Sequence, residues 1–310
     1  MNLIKYITPI NLLEEKQKFF ADDKYNPVFK FFWQTEGHEF VDDGTLKAQL
    51  VKAIIENNPE KIILAAKAYF GISEFEFLNK ALQITAVKPQ PLGEMKPEDF
   101  VAGFLEAYKA LGLDEYTIRV VDDHGFNFRP SVNKKEVVFS RHANFQFFDV
   151  ESEVRHELAH IIRFENGKFN KIIKSDDYIQ TEEGLATLMS DTGGNGHAAE
   201  FQHAAEYISS KIGLDGSLRD IFNYLKSIGF NDDLAWQRAS RHKFGFIDTG
   251  KPGDILKPAI YFSNAEKLKK LSKDEIIKLF IGRISVSDLL NYPEYKGRIR
   301  LDKLIQFYNF

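Results

Sequence analysis

The chain has 310 residues, of which 44% are hydrophobic and 28% are charged, and its formal net charge is −4. Such values are typical of a globular protein that buries a large core in one large domain or two modest ones. The nearly balanced charge gives no general attraction to nucleic acid or to an anionic membrane. Because the sequence contains no cysteine, disulfides, thiol catalysis and cysteine-based zinc sites are excluded, and any metal ligands must be histidines or carboxylates.

The N-terminal ten residues contain only a broken apolar run. A signal peptide needs roughly 7–15 apolar residues and a cleavage site, and neither is present there. No stretch approaches the ~18 apolar residues of a membrane-spanning helix. We therefore expect a soluble cytoplasmic protein that has neither a membrane nor a nucleic acid as its partner.

Residues 11 to about 113 show a helical pattern of apolar positions. Pro59 and Pro97 suit the first turn of a helix, and Gly71 and Gly112 suit the position after its last turn. The predicted helices are Leu12–Phe20, Gly44–Asn57, Pro59–Tyr69, Ser73–Leu82 and Pro97–Leu111. The segment Lys88–Gly93 is the clearest linker. We predict an N-terminal helical lobe at residues 1–90 and a catalytic region at 91–310, and we expect the two to form one continuous domain.

The pattern then changes to short strands, predicted at Thr117–Val121 and Glu136–Ser140. The second strand leads toward the helix that carries the histidines discussed next. A strand edge at such a place can hold an extended peptide by main-chain hydrogen bonds. Residues 140–144, with Asn144 as a substrate-binding residue, are the candidate edge. A plain core strand is an equally good interpretation.

The segment Val154–Phe164 contains His156, Glu157 and His160 in the order His-Glu-x-x-His. On an α-helix, residues four apart lie on the same face, so both imidazoles can bind one ion. This spacing is the signature of a zinc hydrolase helix in which the glutamate acts as the general base. The alternative is an amphipathic core helix with two satisfied histidines. An unpaired histidine or glutamate in such an apolar helix would be costly, and this favours the metal site.

A catalytic zinc usually has three protein ligands and one open position, so a third ligand is expected from a neighbouring element. Glu183 is the favoured candidate, because the residues that share its helical face are small: Ala186, Thr187 and Ser190. Spacing alone does not exclude Glu182. Both could also be acidic residues in a first helical turn, where the helix dipole favours them.

The rest of the chain is again mostly helical by pattern. The segment Gly193–Gly196 predicts a turn. Helices are predicted near residues 197–212, 217–228 and 232–243. A strand is predicted at Ile260–Phe262, followed by short helices near 264–271, 274–281 and 285–290.

The sequence Glu-Gly-Leu-Ala at Glu183–Ala186, after a helix of this kind, resembles the Gln-Glu-Gly-Leu-Ala motif of the tyrosine carboxypeptidase family. That family includes microtubule-associated enzymes that remove the C-terminal tyrosine of α-tubulin. Further points of resemblance are Arg141–Phe145, Asn166-Gly167, Arg238-x-x-Arg241, Asp248–Gly253 and Tyr261. The family usually spaces its histidines one residue farther apart, as His-Glu-x-x-x-His.

The resemblance implies a mostly α, α+β fold of the gluzincin-like zinc metallopeptidases, with a small sheet next to the zinc helix. Aligned on the motif, Glu183 rather than Glu182 is the third ligand of Zn²⁺, together with His156 and His160. Tyr261 would be a second donor to the developing oxyanion.

Through the same resemblance, Arg238 and Arg241 would bind the terminal carboxylate of a substrate. Arginine offers a carboxylate two parallel hydrogen bonds, which lysine does not. A solvated basic face that includes Lys243 is nearly as good an interpretation of the two arginines.

The predicted function is therefore zinc-dependent peptide hydrolysis, with a peptide or protein C-terminus as substrate and release of a C-terminal residue such as tyrosine or another aromatic. One alternative is a regulatory zinc endopeptidase that cleaves a specific partner protein, which would have an open-ended groove. Another is a non-catalytic metal-containing binding module. The presence of Glu157 argues against this last alternative, because a binding module has no use for a general base beside its metal.

Overall fold

The structure is a computed structural model, and it describes residues 3–35, 40–72, 74–90, 97–122, 128–143, 146–147, 149–175, 177–194 and 196–292. Within these ranges the protein is mostly helical with one small sheet, which confirms the predicted α+β, mostly α class. None of the described helices combines the length and the apolar character needed to cross a membrane.

The helices are α1 (Leu3–Ile7), α2 (Leu12–Ala21), α3 (Leu46–Ile55), α4 (Pro59–Phe70), α5 (Leu78–Thr85), α6 (Pro97–Ala110), α7 (Val150–Phe169), α8 (Tyr178–Asp191), α9 (Gly196–Asp215), α10 (Leu218–Ser227), α11 (Asp232–His242), α12 (Ala259–Leu268) and α13 (Lys273–Lys278). Short 3-10 helices are Phe32–Gln34, Val132–Lys134, Leu279–Ile281 and Val286–Asn291. The strands are β1 (Thr117–Val121), β2 (Phe128–Ser131) and β3 (Glu136–Ser140).

The chain divides into two compact units. The first consists of residues 1–88 and 203–260, and the second of residues 89–202 and 261–310. The division between residues 88 and 89 lies close to the predicted boundary at residue 90, but residues 203–260, predicted to be part of the catalytic region, belong to the first unit. The linker predicted at Lys88–Gly93 lies partly outside the described residues, which end at Gln90 and resume at Pro97.

Helix α10 of the first unit shows how local sequence and burial agree. Ser217 begins it with a capping box, in which its hydroxyl and the Asp220 carboxylate each bond a backbone amide of the other. The residues that repeat at three- and four-residue intervals on one face are buried: Leu218, Ile221, Phe222 and Leu225. The helix therefore packs by its apolar stripe, as the sequence pattern predicts.

Two clusters of fully buried polar side chains lie in the first unit at and after the C-terminal end of α11. His242 Nδ1 is 2.8 Å from Asp254 Oδ2, and Asp254 Oδ1 accepts the amide of Leu256 at 2.6 Å. The ammonium of Lys243 donates to the carbonyl oxygens of Gly213, Gly216, Lys251 and Gly253 at 2.6–3.0 Å. These bonds replace the water that the buried groups lose, as interior polar groups require.

The sheet has the strand order β1-β3-β2, with β1 parallel and β2 antiparallel to β3. β1 and β3 have the predicted bounds, and β2 was not predicted. Pro130 lies in β2, and proline is tolerated in a strand at the edge of a sheet, where β2 lies.

Of the strand edge predicted at residues 140–144, the described residues 141–143 do not belong to a strand. Ser140 is the last residue of the central strand β3, where it pairs with Val121, and the chain turns after it. Asn144 lies outside the described residues. In β3 itself Val137, Val138 and Phe139 are buried.

Helix α7 runs through the core of the second unit. It begins at Asp149, whose carboxylate accepts the amide of Ser152 at 2.7 Å. The helix is buried on nearly all sides, and its apolar residues pack with Leu185 and Met189 of α8 in the same core cluster.

Helix α8 passes close to α12 at Gly184, where a Cβ would lie 2.6 Å from Asn264 Cβ. A side chain at residue 184 would collide with α12, so only glycine permits this contact. The contact holds the part of α8 next to Glu183 against α12.

The strand predicted at Ile260–Phe262 is wrong, because these residues belong to α12. Ile260 and Phe262 are fully buried, and Tyr261 is 9% exposed. A short apolar run has the same pattern in a buried strand and in a helix that is buried all round, so periodicity does not separate the two.

Candidate metal site

Helix α7 carries the two predicted histidine ligands one turn apart. The ring centroids of His156 and His160 lie 5.2 Å apart. His156, Glu157 and His160 each offer a ligand atom within 4.8 Å of the others, and among the described residues they form the group suited to a metal ion. The helical spacing therefore brings the three side chains together as predicted.

Glu183 of α8 faces both histidines. Its Oε2 atom lies 3.7 Å from His160 Nε2 and 4.0 Å from His156 Nε2. These distances are longer than a hydrogen bond. Two ligand atoms bound to one tetrahedral zinc at 2.0–2.1 Å would lie about 3.3 Å apart. Glu183 Oε2 therefore lies less than about 1 Å farther from each nitrogen than it would if all three atoms bound one zinc, and two imidazoles with one carboxylate are a donor set that zinc binds in proteins.

Glu182 lies on the other side of His160. Its Oε1 atom is 3.2 Å from His160 Nδ1, while its Oε2 atom accepts a hydrogen bond from Arg163 at 2.8 Å. Arg283 approaches the same carboxylate at 3.0 Å. The two candidates for the third ligand are therefore distinguished by geometry, since Glu183 faces Nε2 of both rings and Glu182 faces only Nδ1 of one.

The carboxylates around His160 control its protonation in the metal-free protein. Burial lowers the pKa of His160, but the hydrogen bond to Glu182 and the charges of Glu183 and Glu182 outweigh it and raise the pKa to about 9. Burial likewise raises the pKa of Glu182, but the charge of Arg163 and the hydrogen bond from His160 lower it to about 2. Glu182 is therefore a carboxylate at neutral pH, although it is only 2% exposed.

Glu157 is 5% exposed and lies one residue along from the first histidine. Its neighbour Tyr108, from α6, was not predicted as part of the site. Burial, and then the charges of Glu157 and Tyr116, raise the pKa of Tyr108 well above its usual value of 10. In the sequence Tyr108 is simply an apolar position of a helix, so nothing there marks it.

Tyr261 also lies beside the histidines. Its ring centroid is 6.1 Å from that of His156, with the planes at 53°. The structure therefore brings it to the candidate site, on a helix rather than on the predicted strand.

Arg238 and Arg241 belong to the first unit. Arg238 NH1 forms an ion pair with Glu206 Oε1 at 2.8 Å, and both side chains are almost completely buried. Burial raises the pKa of Glu206, but the charges of Arg238 and Arg241 outweigh it and lower the pKa below its usual value. Their predicted role in binding a terminal carboxylate stays a prediction.

No protein-family model matches the chain, and no curated protein is significantly similar to it.

Proposed function

We propose that this protein is a zinc-dependent metallopeptidase of the gluzincin type, with His156, His160 and Glu183 as the ligands of the metal. The position of Glu183 Oε2, 3.7 and 4.0 Å from the two Nε2 atoms, is the observation that carries the proposal. Two histidines of one helix and a glutamate of the next form the His₂Glu donor set of zinc peptidases.

When bound there, zinc would lower the pKa of a coordinated water toward ~7 and polarise a carbonyl group. Glu157 would accept a proton from the attacking water and pass it to the leaving amine. The residue is 5% exposed, and burial restricts the positions that the accepting carboxylate can occupy, which supports that role. Tyr261 would donate its phenol hydrogen to the oxygen that becomes negative during the attack.

The release of a C-terminal residue rests on the resemblance to the tyrosine carboxypeptidases. In that interpretation Arg238 and Arg241 recognise the terminal carboxylate.

Metal analysis of the purified protein, combined with a peptide library followed by mass spectrometry, tests the proposal. We expect about one zinc per chain and the loss of single C-terminal residues. Glu157→Gln should retain the metal and lose about 10²–10⁴-fold in activity. The matched control is Glu165→Gln on the same helix, since Glu165 accepts the Tyr116 hydroxyl at 2.8 Å and an amide oxygen can do the same.

Cleavage by Glu157→Gln at the wild-type rate would show that the assigned general base is wrong. Internal cuts by the wild type would replace the carboxypeptidase assignment with that of an endopeptidase. A wild-type protein that binds zinc and cleaves no peptide would contradict the peptidase function.

A further inference from the structure

The two nitrogens of His160 face two different carboxylates. Nε2 lies 3.7 Å from Glu183 Oε2, and Nδ1 lies 3.2 Å from Glu182 Oε1. A neutral imidazole can bind a metal through one nitrogen only if the other carries the hydrogen. A hydrogen bond from Nδ1 to Glu182 therefore selects the tautomer in which the lone pair of Nε2 points toward Glu183.

The carboxylate of Glu182 is itself held in place by two arginines. Arg163 NH1 donates to its Oε2 at 2.8 Å, and Arg283 Nε lies 3.0 Å from its Oε1. The side chain of Arg163 is fully buried, and that of Glu182 is 3% exposed. A carboxylate fixed by opposite charges on two sides has little freedom to rotate, so the ring that it binds is oriented as well.

Arg163 connects this group to the backbone of a second segment. It lies three residues after His160 on α7, and its remaining donors bind the carbonyl oxygens of Leu279 at 3.0 Å, Gly282 at 3.1 Å and Ile284 at 2.5 Å. A planar guanidinium with partners on several sides cannot move without breaking several bonds at once. The segment 279–284 is therefore part of the support of the carboxylate.

We propose that Glu182 is the positioning residue of the metal site: it holds His160 through Nδ1, and Arg163, Arg283 and the segment 279–284 hold Glu182. The inference rests on the proposed function, because it takes His160 as a zinc ligand. Partners of this kind orient metal-bound histidines, and their loss weakens metal binding by about 10–100-fold.

The test measures the affinity of the whole chain for Zn²⁺ by competition with a chelator. Glu182→Ala should raise the dissociation constant by about 10–100-fold. Glu182→Gln should give a smaller increase, because an amide oxygen still accepts the hydrogen bond from Nδ1 although it lacks the charge that pairs with the arginines. Glu165→Gln, a change at another buried glutamate that contacts Tyr116, should leave the affinity unchanged.

A second measurement separates positioning from a loss of fold. In the zinc-loaded protein the Nδ1 hydrogen of His160 should give a slowly exchanging NMR signal. The signal should be retained in Glu182→Gln and in the Glu165→Gln control, and it should be lost in Glu182→Ala. Because Glu182→Gln has nearly the shape of the wild-type side chain, it keeps the comparison possible if Glu182→Ala does not fold.

The outcomes distinguish this inference from the proposed function. If both Glu182 variants bind Zn²⁺ as tightly as the wild type while Glu183→Gln does not, the positioning role is wrong and the ligand assignment stands. If the wild type binds zinc and Glu182→Ala weakens that binding, but no peptide is cleaved, the positioning role is supported and the proposed peptidase function is wrong. If the wild type binds no zinc, both are wrong.

Discussion

Two histidine–carboxylate clusters of this protein differ in how closely their atoms approach. In the first unit His242 and Asp254 are fully buried and 2.8 Å apart, so their hydrogen bond is formed. In the second unit Glu183 lies 3.7 and 4.0 Å from its two histidines, and these three side chains are 11–13% exposed. A closed, buried pair stabilises a fold. Ligand atoms beyond hydrogen-bond distance, on side chains partly open to solvent, are compatible with binding a shared cation.

The largest effect on stability is expected from the closed cluster. Asp254→Ala removes the acceptor of both His242 and the Leu256 amide, and should lower the free energy of unfolding by about 3–5 kcal/mol. Urea denaturation measures this loss. The control is Asp248→Ala, which removes an exposed ion pair with Lys251 and should cost no more than about 1 kcal/mol. Equal losses in the two variants would contradict the structural role of the closed pair.

A substitution in the open cluster should affect zinc binding more than the stability of the fold. Glu183→Gln should weaken zinc binding by more than the ~10–100-fold expected for an outer partner, because it alters a direct ligand. Its unfolding midpoint without metal should move less than that of Asp254→Ala. Chelator competition and urea denaturation of the same two variants test this. If Glu183→Gln instead unfolds the protein while keeping its affinity for zinc, the distinction between the two clusters is lost.

The packing that places Glu183 can be disturbed from the adjacent residue. In Gly184→Ala the new methyl group would lie 2.6 Å from Asn264 Cβ and 2.8 Å from the Asn264 carbonyl carbon. The resulting shift of α8 should cost about 1–3 kcal/mol and lower the affinity for zinc. The matched control is Gly167→Ala on α7, where the nearest atom is 3.4 Å away and the better helix propensity of alanine contributes up to about 1 kcal/mol. Thermal unfolding of both variants measures the difference, and a Gly184→Ala protein as stable as this control would contradict the close contact.

A smaller effect is expected from pH. The pKa of His160 in the metal-free fold is raised from 6.5 to about 9. The protonated ring therefore contributes stability that is fully present below pH 6.5 and is lost as the pH rises through about 9. Zinc must displace that proton, so its affinity should rise by about tenfold per pH unit between those values. Zinc affinities measured from pH 6.5 to 8.5 check this. An affinity that does not change with pH would contradict the competition between zinc and a proton at His160.

Much of the helical framework follows from local sequence. The bounds of α2, α4 and α11 agree with the prediction to within one residue, because caps, prolines and apolar spacing act over one or two turns. The helix at Ile260–Phe262 was missed because its burial on all sides hides the helical period. The central position of β3 does not follow from the sequence, because its second neighbour β2 contains a proline and does not have the pattern of a strand.

The candidate metal site, like the fold, is predicted from the sequence only in part. The histidine spacing of α7 by itself predicts one face with two imidazoles, and the structure agrees. Nothing in the sequence marks Arg283 or Tyr108 as neighbours of that face, because each reaches it through the packing of separate elements. Arg163 lies on α7 itself, and only the packing of α8 brings the Glu182 carboxylate to it.

By itself the sequence determined the helical character of the chain and the pairing of His156 with His160, since both depend on residues within a few positions of each other. Only the tertiary structure decided that Glu183 faces Nε2 of both rings while Glu182 supports His160 from behind. Adjacent residues of a helix point about 100° apart, so the rotation of α8 against its neighbours makes that choice. This rotation is set by the contact at Gly184 and by the ion pairs of Glu182, which join residues far apart in the chain.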